Sequence, residues 1–196
     1  MLAIISPAKS LDFDSAIPPV SPSGNRFPDE TERLAKAIGN LTTKKLKAIM
    51  PVSDNLIALN RQRYSDFFAQ PERPAIYAYN GDVYTGFEAG SISEEAMTFA
   101  QGHLRILSGL YGLLRPLDPI RPHRLEMGTR WAPRYNKLTD FWKDKIAGAK
   151  RARVMMARYI CENHLADPEA LKGFDYDGYR YDADGSTESS LRFLRT

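Results

Sequence analysis

Apolar and polar positions along this chain switch repeatedly between a strand-like and a helix-like period. Leu2–Ile5 is a short apolar run closed by Ser6-Pro7, which predicts an inner strand followed by a loop. Residues 14–28 hold four prolines and a glycine and read as an irregular connection. Asp29 is placed to cap a helix through Ile38, with Gly39-Asn40 as its stop. A short helix over Thr42–Ile49 and a longer one capped by Ser53 follow, the second with an apolar face of Leu56, Ile57, Tyr64, Phe67 and Phe68. Ala75–Tyr79 reads as a strand, Asn80-Gly81 as a turn, and Ser91 with Glu94 as a capping box for a helix ending near Gly102.

Leu104–Leu107 predicts a further strand, and Leu138–Ile146 and Ala149–His164 predict helices. Asp167-Pro168-Glu169 opens a short helix that Gly173 stops. Tyr179–Tyr181, the Asp184-Gly185 turn and Leu191–Arg195 suggest a terminal hairpin. Strands and helices are mixed throughout, without repeat or domain boundary. The expectation is one compact mixed α/β (α+β) domain over residues 1–196, with a central sheet surrounded by helices.

Residues 105–130, RILSGLYGLLRPLDPIRPHRLEMGTR, follow neither period. Five arginines stand there among Gly, Pro and apolar residues, and they change the electrostatic picture. The net charge is only +3. From Glu162 onward, however, eight acids face four bases, so residues 1–161 carry an excess of seven positive charges. A field of that kind attracts phosphate-rich partners or lies on a solvated surface. The one cysteine excludes an internal disulfide and fits a reducing cytoplasm. The N-terminus is a poor secretory signal and no stretch approaches a membrane span, so no membrane partner is expected.

Two constellations carry candidate chemistry. In LTTKKLKAIMPVSDNLIALNRQRY, residues 41–64, two helices flank a tight Met50-Pro51-Val52 connection. The layout resembles a helix-hairpin-helix, which grips the DNA backbone through the free N–H groups at the second helix start. Lys44, Lys45 and Lys47 supply charge, and Ser53, Asn55 and Arg61 lie on the second helix. The usual hairpin glycines are absent, and many helical pairs share the layout without touching DNA. In the second constellation, Lys9 lies just beyond a strand end, where α/β folds often place a ligand crevice. Arg115 and Arg121 each precede a proline that restricts their backbone. The three histidines and Cys161 form no pattern beyond pairs, so neither a metal nor a cofactor is expected.

Together ISPAKSLDF, YNGDVYTGF, LRILSGLYGLLRPLDPIRPHRLEMGT, DFW, AKRARVMMARYI and FDYDGYRYD resemble, in order, the YaaA family of bacterial peroxide-stress proteins. The resemblance implies a cytoplasmic protein with a positively charged cleft and a DNA-binding helix-hairpin-helix. It also implies a lowering of free iron under hydrogen peroxide. No reaction comes with it. Ser6, Lys9, Asn80 and Asp82 fall in the family's signature, as do Arg105, Arg115, Arg121, Arg124 and Glu126, and Lys150, Arg153 and Arg158. The cluster reads as a cleft wall for phosphate or carboxylate. The expected partners of a monomer are therefore double-stranded DNA and, alternatively, a small nucleotide- or nucleobase-like anion turned over by an enzyme. His123 replaces a usual tyrosine, Val154 a glycine, and Cys161 an apolar residue. Between Ile146 and Ala149 the family carries several dozen further residues, including an Asn-x-Ala-Ser-x-Glu-Tyr motif. A third reading is thus a folded remnant that has lost its activity.

Overall fold

In chain order the elements are β1 (Ala3–Ile5), β2 (Ser10–Leu11), α1 (Pro28–Gly39), α2 (Thr43–Ile49), α3 (Asp54–Ser65), β3 (Arg73–Pro74), α4 (Ala75–Ala78) and β4 (Tyr79–Asn80). They continue as α5 (Asp82–Phe87), α6 (Glu94–His103), β5 (Leu104–Ser108), β6 (Gly112–Leu114), β7 (Pro119–Ile120), α7 (Leu138–Trp142), β8 (Tyr179–Thr187) and β9 (Ser190–Arg195). This computed structural model describes residues 3–143, 145–146, 168–174, 179–187 and 190–195. The architecture is mixed α/β, with small sheets rather than one large one.

The apolar run at the N-terminus forms β1, buried at all three positions. It lies parallel to β5, with Ile5 opposite Ile106, and β6 pairs antiparallel on the other side of β5. Parallel pairing brings the carboxyl ends of β1 and β5 together. Around this sheet one core collects Leu34 and Ile38 of α1, Leu46 of α2, Ile57 and Tyr64 of α3, and Trp142 of α7. No helix among the described residues is long and apolar enough to cross a membrane.

Several boundaries differ from the sequence reading. The N-cap of α1 is Phe27, not Asp29: Pro28 occupies the first turn, where its missing N–H costs nothing, and Asp29 and Glu30 face the positive helix end. Ser93, not Ser91, caps α6 by accepting from the Ala96 N–H at 3.1 Å, whereas Ser91 donates to the Glu88 carbonyl. The buried stripe of α3 is Ile57, Asn60 and Tyr64, leaving Leu56 38% and Phe68 53% exposed. Phe67 stacks on Tyr64, while Phe68 turns outward beneath the Lys36 ammonium.

The strand expected at Ala75–Tyr79 is a helical turn over its first four residues. Its free N–H groups are met by tertiary contacts: Ala75 donates to the Asp118 carbonyl and Ile76 to the Pro116 carbonyl, both at 2.9 Å. Just before it, β3 pairs with β7. Asn80-Gly81 is not a hairpin turn either. β4 pairs with β2, Ser10 opposite Asn80, and α5 begins directly after Gly81. The helix expected to reach Ile146 ends at Trp142, and the short helix expected after Asp167 is a 3-10 helix over Pro168–Gly173. The terminal hairpin is β8 and β9, but Asp184-Gly185 lies inside β8, beside a register shift between Asp182 and Thr187. The helix expected over Ala149–His164 lies outside the described residues, and with it Lys150, Arg153, Val154, Arg158 and Cys161.

Candidate functional site

A cavity of about 430 Å³ opens where the adjacent ends of β1 and β5 meet the irregular segment 123–128. Crevices beyond the carboxyl ends of parallel strands are a common ligand position, and this volume lies within the small-molecule range. Ser6 and Lys9 enter from the end of β1, and Leu107 and Ser108 from the end of β5. Arg124 and Glu126 come from the arginine-rich stretch, His123 lies beside them, and Tyr79 enters from β4.

The segment 121–128 has no regular structure, so side chains hold it. The Tyr111 hydroxyl accepts from the Arg121 N–H at 2.8 Å, and the Tyr64 hydroxyl donates to the Arg124 carbonyl at 3.0 Å. Gly109, between β5 and β6, lets the Leu125 carbonyl approach closely: a Cβ there would stand 2.2 Å from that oxygen. Trp142 closes the same corner by donating its indole N–H to the Gly109 carbonyl at 2.9 Å.

Inside the cavity wall the polar groups form a small network. The Tyr79 hydroxyl shares a 3.3 Å hydrogen bond with Ser108 Oγ, which also accepts from the Tyr111 N–H at 3.2 Å. His123 is 6% exposed and bonds through Nδ1 to the Arg121 carbonyl at 2.7 Å. Burial pushes its imidazole down to about 4, with the Arg63 charge adding to the effect and the carbonyl contact opposing it. The ring is therefore neutral at physiological pH. Burial likewise pushes the Tyr79 and Tyr111 hydroxyls well above their usual range, so both stay protonated.

The structure separates the other arginines of the cluster. Arg105 donates to the Gln101 and Leu104 carbonyls, and Arg115 pairs with buried Asp118 at 3.1 Å. Asp118 in turn accepts from Ser23 and from the Arg115 N–H, which makes it a structural anchor. Arg121 pairs with Glu72 at 3.0 Å and donates to the Gln70 carbonyl. None of these three lines the cavity. Arg124 does. It pairs with Glu126 at 3.0 Å, while its buried Nε has no partner among the described residues. Asn80 and Asp82 are exposed and lie outside the wall, although the pairing of Ser10 with Asn80 sets Asn80 beside Lys9.

A second hollow of about 330 Å³ adjoins the first and shares Arg124, Glu126 and Gly128 with it. Its other side is the α2–α3 connection, Met50, Pro51 and Val52, with Arg130 also in the wall. Lys44, Lys45 and Lys47 are exposed on α2, and Ser53 and Asn55 are exposed at the start of α3. The Ser53 hydroxyl makes no cap bond to α3. Lys47 pairs with Asp54, and Arg61 donates to the Leu41 carbonyl at 3.2 Å, tying α3 back to the entry of α2. Among the described residues no group of three or more His, Cys, Asp and Glu side chains could hold a metal ion.

Tyr79, Ser108 and His123 are not among the candidate site residues read from the sequence, because none carries a charge or a motif of its own. One signal could have found Ser108: it ends an inner strand as Ser6 follows one, and the two strands are neighbours.

Comparison with known proteins agrees with the resemblance read from the sequence. The family model described as peroxide stress protein YaaA matches residues 1–149 and 147–185. The chain belongs to the YaaA family. Among similar YaaA relatives is a UPF0246 protein of Rhizorhabdus wittichii, 45% identical over 252 residues that cover 100% of both chains. A UPF0246 protein of Ruegeria pomeroyi is 39% identical over 254 residues, covering 100% of this chain and 98% of its own. One of Alteromonas mediterranea is 37% identical, also over 254 residues, with the same coverage. The first alignment runs over 252 positions against 196 residues here, so at least 56 of its positions face no residue of this chain. The two matched pieces of the family model meet at 147–149.

Proposed function

We propose that this member of the YaaA family acts in the cytoplasm, as a monomer, by holding duplex DNA through its backbone at a helix-hairpin-helix formed by α2 and α3. The observation that carries this reading is the exposed start of α3. It has no side-chain cap from Ser53, it is flanked by the lysines of α2, and the connection that leads into it, Met50–Val52, walls a hollow together with Arg124 and Arg130. Unpaired N–H groups at a helix start favour an anion, and lysines on the preceding helix add charge without reading sequence. Lys47 is already paired with Asp54, so Lys44 and Lys45 are the freer cations. Under peroxide this contact would serve to protect DNA, alongside an indirect lowering of free iron that limits Fenton damage.

The experiment is a salt titration of duplex binding. Affinity should be nearly independent of sequence, and its logarithm should fall linearly with the logarithm of salt concentration. Replacing Lys44, Lys45 and Lys47 together by Ala should make the slope shallower by about two to three units. An unchanged affinity and slope would remove the hairpin from the function.

A further inference from the structure

The cavity at the strand ends differs in chemistry between its depth and its mouth. Lys9 and Glu126 are exposed at the mouth, Ile5, Leu125 and Ser108 are buried, and the Arg124 side chain, 17% exposed, lies between the two. A bare phosphate or carboxylate drawn past Arg124 into the depth would lose its water and meet no further cation among the described lining residues. A flat heterocycle would instead lay its faces on apolar side chains and the Tyr79 ring.

His123 specifies what the edge of such a ring must carry. Its Nδ1 faces the Arg121 carbonyl, an oxygen that only accepts, so Nδ1 bears the proton and Nε2 the lone pair. Nε2 has no partner among the described residues. A ligand N–H would satisfy it. Beside it, the Tyr79 and Ser108 hydroxyls share one hydrogen bond and so leave one O–H proton free to donate. One acceptor and one donor close together match the edge of a nucleobase.

Arg124 fixes the orientation. It lines both the cavity and the hollow under the α2–α3 connection, and its Nε is unpartnered. We infer that the cavity is a nucleotide site, taking one unpaired base against His123 Nε2 with the attached phosphate on Arg124. The assignment of the nucleotide to a DNA strand rests on the backbone-holding function proposed above. A free nucleotide has the same chemistry and would enter alone.

The test compares a fully paired duplex with the same duplex carrying one unpaired 2-aminopurine, alongside dAMP and inorganic phosphate at matched ionic strength. The unpaired-base duplex should bind about tenfold more tightly, a difference easily resolved in Kd, and its fluorescence should change on binding. His123→Phe keeps a ring but removes the acceptor, and should abolish the advantage while paired-duplex affinity stays the same. A Cβ at Gly128 would meet nothing within 4 Å, and the residue lines the passage between the hollows. Gly128→Phe should therefore block entry without straining the fold, and it serves if the His123 variant does not fold. If no DNA binds, but dAMP raises the melting temperature of the wild type and not of the variants, the site holds for a free nucleotide and the DNA-holding function fails. Equal affinity for both duplexes with no specific dAMP shift, or a phosphate shift equal to that of dAMP, would overturn the nucleotide site.

Discussion

His123 is 6% exposed, and at the residue scale that burial keeps an imidazole away from water. The consequence is a pH dependence whose sign can be worked out. In the unfolded chain the ring titrates near 6.5, and in the fold it titrates near 4. Between those values the unfolded state binds a proton that the folded state refuses. The ring's contribution is thus unpenalised above pH 6.5, and stability falls as pH drops toward 4. From pH 7 to pH 5 the penalty comes to about 2 kcal/mol. The groups around the ring, Arg63, Tyr79 and Tyr111, keep one charge state over that range, so they do not mask it. Urea midpoints of wild type and His123→Phe should therefore converge on acidification, the variant gaining about 2 kcal/mol relative to wild type by pH 5. Parallel profiles would mean that the imidazole takes up its proton without penalty in the fold. The sequence does not single out His123, because a lone histidine among arginines and prolines carries no motif.

At the scale of elements, the turn between β5 and β6 decides whether the site exists. Gly109→Ala would press a Cβ 2.2 Å from the Leu125 oxygen and 3.0 Å from the Glu126 carbonyl carbon, backbone atoms that have no rotamer to yield. We expect a loss of about 3 kcal/mol, the upper end of overpacking, together with loss of ligand-dependent stabilisation as segment 121–128 moves. Gly86→Ala in α5 meets nothing within 4 Å and should be neutral or stabilising by up to about 1 kcal/mol. Comparable melts for the two variants would show that the close approach is not needed. The elements that read correctly from sequence are those whose local signals are complete: the apolar runs of β1 and β5, and α2, where Thr42 accepts from the Lys45 N–H. Ala75–Ala78 misread because its backbone donors are satisfied by Asp118 and Pro116, some forty residues away, and no local pattern records that. The two-residue strands β3 and β7 were illegible for the same reason. Each exists only through its partner.

At the scale of the whole molecule, charge and ligand chemistry point to different partners. The arginine-rich stretch was legible as a cluster, but the fold distributes it: Arg105 to backbone carbonyls, Arg115 to Asp118, Arg121 to Glu72, and only Arg124 to the cavity. Spacing along a chain cannot reveal which acid will stand opposite each base. The same distribution bears on how a YaaA protein could lower free iron. An iron–sulfur cluster needs several thiolates, and this chain has one cysteine. A mononuclear site needs about two histidines and a carboxylate converging on one point. His103 bonds to the Phe99 carbonyl and stacks on its ring at 3.8 Å, while His123 faces the nucleotide cavity with its Nδ1 committed to Arg121. These two rings serve separate neighbourhoods, and no third ligand joins either among the described residues. Purified protein washed with chelator should therefore contain no stoichiometric iron by metal analysis, and EDTA should leave its melting temperature unchanged. An effect on cellular iron would then be indirect rather than sequestration by this chain. One iron per chain surviving the chelator wash would overturn this.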